Sequence, residues 1–154
     1  MILVTLGTQK QQFTRLLEYI ENTNINDEII VQAGFTKFES KKMKIFDFID
    51  YDEMNKYIDK ADLIITHAGT GSIVSALKKE KKVIACARKS KYLEHVDDHQ
   101  EEIVEVFYEE GYILKIDDNL NLDDVYKKSR EFKPKKFVSN TENFIKLLEK
   151  EIDK

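Results

Sequence analysis

Tryptophan is absent from the 154 residues, cysteine and proline occur once each, and glycine occurs five times. The single cysteine, Cys86, has no second thiol in the chain, which excludes an internal disulfide framework and suits a reducing compartment. It sits in the apolar run VIACA and reads as a buried strand residue, not a nucleophile. With one proline, Pro134, in a basic connector, no proline-rich linker is present. No window approaches the ~20 apolar residues of a membrane-spanning helix. The N-terminal MILVTL is too short for the apolar core and cleavage site of a secretory signal. Any membrane role is therefore expected to run through a partner or a surface. Positive charge is not in excess either. The 25 Lys and Arg against 29 Asp and Glu leave a formal charge of −4, with no whole-chain attraction to nucleic acid or anionic lipid. The 7 Tyr and 9 Phe are scattered, without the basic and aromatic interleaving of a single-strand binder, so no nucleic-acid partner is expected. Basic residues cluster only locally, at Lys78–Lys82, Arg88–Lys91 and Lys127–Lys136.

What is present is the balance of a globular chain, 42% hydrophobic and 35% charged. The length fits one domain over residues 1–154, and no second boundary, internal repeat or low-complexity segment is visible. Short β-rich runs alternate with helical patterns. Strands are expected at Ile2–Leu6, Glu28–Ala33, Met43–Phe48, Asp62–Thr66, Lys82–Ala87 and Tyr112–Ile116. Helices are expected near Gln11–Glu21, Tyr51–Lys60, Gly71–Lys79, Asp98–Glu110 and Leu122–Arg130. A last helix fits Thr141–Glu151, with Phe144, Leu147 and Leu148 on one face and Ser139 or Asn140 as cap. This segment, 138–154, either docks a partner or packs on its own sheet. The polar loop Gly34–Lys42 is expected to be mobile. Runs such as LIIT and VIACA are apolar on both faces, as in a covered parallel sheet. The class is α/β, a Rossmann-like doubly wound parallel sheet of about six strands.

In such sheets ligands bind beyond the carboxyl ends of the strands, where strand order reverses. In the common order, strands one and four are neighbours there. Leu6-Gly7-Thr8 and His67-Ala68-Gly69-Thr70-Gly71-Ser72 then face each other across one crevice. Gly7 brings backbone amides toward an anion and Thr8 adds a hydroxyl, or the pair is an ordinary βα turn. The second turn lacks the GxGxxG fingerprint after strand one and the lysine of a P-loop, which disfavours a dinucleotide dehydrogenase or a P-loop NTPase. Gly69, Thr70, Gly71 and Ser72 offer N–H groups and two hydroxyls to a diphosphate at a helix start. Ser72 alternatively serves as an N-cap. The third candidate is Tyr92–Gln100, which holds His95 and His99 at i, i+4 spacing. That spacing suits a metal, with Asp98 or His67 as third ligand, but no HExxH or cysteine cluster accompanies it. Asp97, His99 and Gln100 equally suit sugar hydroxyls at a helix start, and Asp97 or Asp98 suits acidic capping. No serine stands in a GxSxG elbow.

LVTLGTQ, IVQAG, ADLIITHAGTGS and EHVDDHQ, in that order over about Met1 to Ile116, resemble the C-terminal-domain type of glycosyltransferase family 28. The chain is more closely similar to the small catalytic subunit of two-component transferases. Those are the dolichol-pathway N-acetylglucosaminyltransferase and the paired enzymes of bacterial capsule and exopolysaccharide synthesis. HAGTGS joined to HVDDHQ is the specific part. The resemblance implies the C-terminal half of a GT-B fold, binding a UDP-sugar donor at the cytoplasmic face of a membrane. The other half is a separate membrane-anchored subunit that brings a lipid-linked acceptor. No cofactor or metal is implied beyond the donor. By matching motifs, Gly7, Thr8, Gly69, Gly71 and Ser72 hold the diphosphate side. His99 and Gln100 lie near the donor sugar with Asp97 close by, and His67 assists leaving-group charge. One departure stands out. The family often carries a glutamate for the ribose hydroxyls in the helix after the turn, where this chain has Ser75, which hydrogen-bonds without charge assistance.

The expected reaction is inverting displacement at the anomeric carbon, with positive potential for the leaving diphosphate and a general base on the acceptor side. That base is expected on the partner, so the chain alone should be nearly inactive. Two other readings stand beside it: a non-catalytic accessory subunit that stabilises a transferase, and a metal-dependent hydrolase built on His67, His95 and His99.

Overall fold

The structure, a computed structural model, describes residues 1–95, 98–117 and 121–137. Six strands form one sheet: β1 (Ile2–Thr5), β2 (Ile29–Gln32), β3 (Met43–Phe46), β4 (Leu63–His67), β5 (Lys82–Cys86) and β6 (Leu114–Ile116). Their order is β3-β2-β1-β4-β5-β6, and every pairing is parallel. The helices are α1 (Thr14–Glu21), α2 (Tyr51–Lys60), α3 (Thr70–Lys78), α4 (His99–Glu109) and α5 (Leu122–Glu131). The expected Rossmann-like sheet is therefore observed, and β1 and β4 are direct neighbours.

Strand alternation sends side chains to two separate cores. Ile2, Val4 and Leu6 pack with Leu16, Leu17 and Ile20 of α1 and Val125 of α5. Leu3, Ile64, Val83 and Ala85 pack with Ile58 of α2, Ile73 and Leu77 of α3 and Phe107 of α4. Both faces of the sheet are thus covered, which is why its strands read as continuous apolar runs. Cys86 is fully buried, and burial pushes its thiol up to about 12, so it is a core residue.

Several boundaries differ from the sequence expectation. β3 stops at Phe46, whose last partner is Gln32, so Asp47 and Phe48 leave the sheet. β4 runs on to His67, which pairs with Cys86. α1 begins at Thr14 instead of Gln11 because Gln11–Phe13 are engaged elsewhere. Gln12 bonds the Phe35 carbonyl through Nε2, at 2.6 Å, and accepts from Lys37 N. Phe13 N donates to Thr36 Oγ1 at 3.0 Å. Those bonds, with Ser40 and Lys41 N donating to Glu21, tether the loop 34–42 that was expected to be mobile. The expected helix Thr141–Glu151, and with it the docking segment 138–154, lies outside the described residues, as does Asp97. Among the described residues no helix is long and apolar enough to cross a membrane.

Candidate functional site

Parallel pairing carries β1 and β4 to the same edge of the sheet. Thr5 is in register with Thr66, and their hydroxyls share a 2.7 Å hydrogen bond. The two turns that follow therefore emerge side by side, with the imidazole of His67 between them. A Cβ placed on Gly7 would stand 2.5 Å from His67 Nε2, and one on Gly69 would stand 2.5 Å from His67 Cε1. Gly7 also has φ +75, a left-handed conformation that glycine adopts without penalty. Gly69 has φ −70, so glycine is required there for space and not for backbone freedom. Gln32 holds the first turn from the other side, accepting from Gly7 N at 3.2 Å and donating to Gly7 O at 3.1 Å.

His67 is 7% exposed, and burial, aided by the nearby Arg88 charge, lowers its pKa to about 4. It is therefore a neutral imidazole at neutral pH. It offers the leaving group at most a hydrogen bond, not the positive charge that the family resemblance suggested.

Gly69 is the N-cap of α3 in extended conformation, and it supplies no side-chain cap. The first helical bond runs from Ile73 N to Gly69 O. The N–H groups of Thr70, Gly71 and Ser72 donate to no described residue. Ser72 is thus the third residue of the helix, not its N-cap. These open N–H groups and the positive end of the helix dipole favour an anion. A Cβ on Gly71 would meet nothing within 4 Å, so this position faces open space.

A cleft of about 420 Å³ opens beside the helix start. Gly7, Thr8, Gly71, Ser72 and Ser75 line it, and so does a second group, Phe48, Ile49, Tyr51, Met54 and Asn55. Sequence reasoning missed this second group. Phe48 and Tyr51 are exposed large aromatics, at 51% and 81%, held at the start of α2 by Asp50, which caps the helix by accepting from Glu53 N. An expected strand running through Phe48 hid their release from the sheet. Among the described residues that line the cleft there is no histidine or lysine, and the carboxylate of Asp50 caps α2 through Oδ1.

The third motif is placed differently from expectation. Gln100 is 5% exposed, and its Oε1 accepts from Arg88 N at 3.1 Å. It therefore braces the chain after β5 and does not present that oxygen to a sugar. His99 is the exposed first residue of α4. Asp98 accepts from Ser90 N and Oγ, which holds its carboxyl below the usual range, and so caps the neighbouring turn. Among the described residues no group of three His, Cys, Asp or Glu side chains converges to hold a metal ion. The hydrolase reading needed His67, His95 and His99 as one ligand set; His95 lies near enough to His67 to help lower its pKa, but the three form no such set.

Two predictions follow from the buried ring. Gly69→Ala should destabilise the fold by roughly 1–3 kcal/mol through overpacking. In a His67→Ala background the same change should cost much less, as a double-mutant cycle in denaturant would show; additive effects would contradict the contact. The unfolded chain protonates His67 near 6.5, whereas the native state resists protonation down to about 4. Stability from this residue is therefore complete above 6.5 and lost as pH falls toward 4, by roughly 3 kcal/mol. A His67→Gln variant should lack that share of the acid-induced loss.

Comparison with known proteins bears on the same residues. The model of the glycosyltransferase family 28 C-terminal domain matches residues 1–152. The UDP-N-acetylglucosamine transferase subunit ALG13 of Candida albicans is 34% identical over 116 residues, covering 72% of this chain and 38% of that protein. The Saccharomyces cerevisiae protein of the same name is 40% identical over 73 residues, 47% of this chain and 34% of that one. The chain thus spans little more than a third of the length of these relatives. In fold it is similar to the solution structure of ALG13, with TM-score 0.61 and 22% identity over 99% of this chain and 96% of that one. It is also similar to Acinetobacter baumannii MurG, with TM-score 0.55 and 15% identity over 81% of this chain and 40% of that one. The turn of β4 into α3 and the sheet that carries it are therefore those of a known group, and the chain belongs to the glycosyltransferase family 28 C-terminal domain family.

Proposed function

We propose that the chain is the donor-binding subunit of an inverting glycosyltransferase that takes its sugar from a UDP-sugar. The observation that carries this reading is the open N-terminus of α3. The N–H groups of Thr70, Gly71 and Ser72 have no acceptor among the described residues, and Gly71 and Ser72 line a cleft that Phe48, Ile49 and Tyr51 also line. A nucleoside diphosphate matches both features at once. The diphosphate takes the helix start and the Gly7–Thr8 turn, and the base lies against Phe48, Ile49 and Tyr51. Ser75 and Asn55, both lining the cleft, offer a hydroxyl and an amide to the ribose. They stand in for the carboxylate that the family often carries. His99, with Asp97 beside it in sequence, is the group nearest in kind to the sugar-binding part of the motif.

The names of the relatives support N-acetylglucosamine as the sugar and a subunit role, and they give no support to capsule or exopolysaccharide synthesis. On this reading the acceptor is lipid-linked, and a membrane-anchored partner at the cytoplasmic face supplies the acceptor half and the general base. The cleft lining agrees with that division, since the described residues that form it include no histidine or lysine. Leaving-group charge is met by helix amides, with no call on a metal. The same lack of a histidine or lysine is what favours the second reading, a non-catalytic accessory subunit that stabilises a transferase.

Gly71→Asp gives the sharpest test. The new side chain has room, and a carboxylate in the first turn suits the helix dipole, so the fold should be as stable as before. UDP affinity measured by calorimetry should nevertheless fall by roughly tenfold or more, because the carboxylate occupies the seat and repels the diphosphate. Unchanged affinity would remove the site. The purified chain should bind UDP yet turn over UDP-N-acetylglucosamine negligibly without a partner; robust turnover by the chain alone would contradict the division of the active site.

A further inference from the structure

Arg88 is the largest fully buried side chain, 1% exposed, although the sequence places it in a basic cluster typical of a surface. Its guanidinium reaches three main-chain carbonyls, two in the β1–α1 connection and one between β5 and α4. Nη2 donates to Leu6 O at 2.7 Å, and Nη1 donates to Gln11 O at 2.7 Å and to Glu94 O at 3.0 Å. It also lies over the Phe13 ring, 4.9 Å from the centroid. Among the described residues no carboxylate pairs with it. The Glu94 carboxylate instead takes Arg15, through Nε and Nη2 at 3.0 and 2.9 Å, and Lys89 N. Nε of Arg88 is buried without a partner.

A buried cation on neutral acceptors is a costly way to fill a core, since an apolar side chain of similar volume would serve packing better. Burial accordingly lowers its pKa to about 10, which still leaves it charged at neutral pH. What a guanidinium does here, and a hydrocarbon does not, is hold distant strands of backbone at fixed spacing. Two of its acceptors, Leu6 and Gln11, bracket the turn that carries Gly7 and Thr8. The third, Glu94, lies in the segment between β5 and α4. Its own N–H fixes Gln100 at the start of α4. The anchors therefore tie the Gly7–Thr8 turn to the segment between β5 and α4.

We infer that Arg88 is a positioning residue: it suspends the Gly7–Thr8 turn and the β5–α4 segment from one buried guanidinium, so that the diphosphate seat stands preformed. The inference rests on the donor-binding reading and adds to it a residue that touches no ligand. Its mechanism is preorganisation, in which a turn already held in place loses little freedom when the ligand arrives.

The test uses the full chain, with UDP as probe. Arg88→Lys keeps the charge and the stem but cannot reach all three carbonyls. Arg88→Met removes the charge as well. Each variant is measured at a temperature where it remains folded. The expected result is a roughly tenfold loss of UDP affinity in folded Arg88→Lys, with faster amide exchange at Gly7 and Thr8. Wild-type affinity in folded Arg88→Lys, or a loss of affinity that leaves those two amides unchanged, would overturn it. If neither variant folds, wild-type NMR decides. UDP should then shift the Arg88 Nε–H resonance together with the Gly7 and Thr8 amides. Shifts confined to Thr70–Ser72 would overturn the positioning role. If UDP moves none of these signals, the donor-binding reading fails and this inference falls with it.

Discussion

The packing of one neutral imidazole between two glycine turns sets the geometry on which the rest of this edge of the sheet depends. His67 ends β4, and its ring lies where side chains on Gly7 or Gly69 would collide with it. The two turns can come this close only because each omits a Cβ, and they are brought this close by the parallel pairing of β1 with β4. The ring thereby fills the space between the turns, beside the start of α3. Its burial fixes its charge as well. A wedge with a pKa of about 4 stays neutral, so the width of the seat does not change over ordinary pH.

A division of labour follows from this arrangement. Attraction for an anion comes from main-chain N–H groups and a helix dipole, which need no reorganisation when a ligand binds. Gln32 braces the β1 turn from β2, and Arg88 braces it from β5. Aromatic area for a base comes from a third place, the chain that leaves β3 at Phe46 and enters α2 at Tyr51. Among the described residues that line the cleft there is no histidine or lysine. On the proposed function, that feature belongs to half of an active site, whose other half faces the same edge.

Much of this was legible in the sequence. The six apolar runs, the alternation with helices and the sparing use of glycine were enough to place β1 beside β4 and to bring Gly7, Thr8, Gly71 and Ser72 to one crevice; Ser75 was reached only through the family resemblance. Those signals are local, and their physics is local: covered strands are apolar on both faces, and helix starts need open N–H groups. The parts that were not legible depend on contacts remote in sequence. Gly69 was read as an N–H donor to a diphosphate, but the reason for glycine there is the ring of His67, not backbone freedom, since its φ is −70. Gln100 looked like a sugar contact, but its oxygen meets Arg88 N in the interior. Arg88 was grouped with the basic cluster Arg88–Lys91, since nothing nearby in sequence announces that carbonyls at Leu6 and Gln11 will meet it. Phe48 looked like the end of a strand because β3 and its continuation are both apolar, and only the register with β2 shows where pairing stops.

The central claim is that a nucleoside diphosphate lies along the cleft from the start of α3 to Phe48 and Tyr51. A crystal structure of the chain grown with UDP tests it most directly. The account predicts phosphate oxygens within hydrogen-bond distance of the N–H groups of Thr70, Gly71 and Ser72, with the uracil ring against Phe48, Ile49 or Tyr51. Density for UDP elsewhere on the sheet edge, with those N–H groups left to solvent, would contradict it.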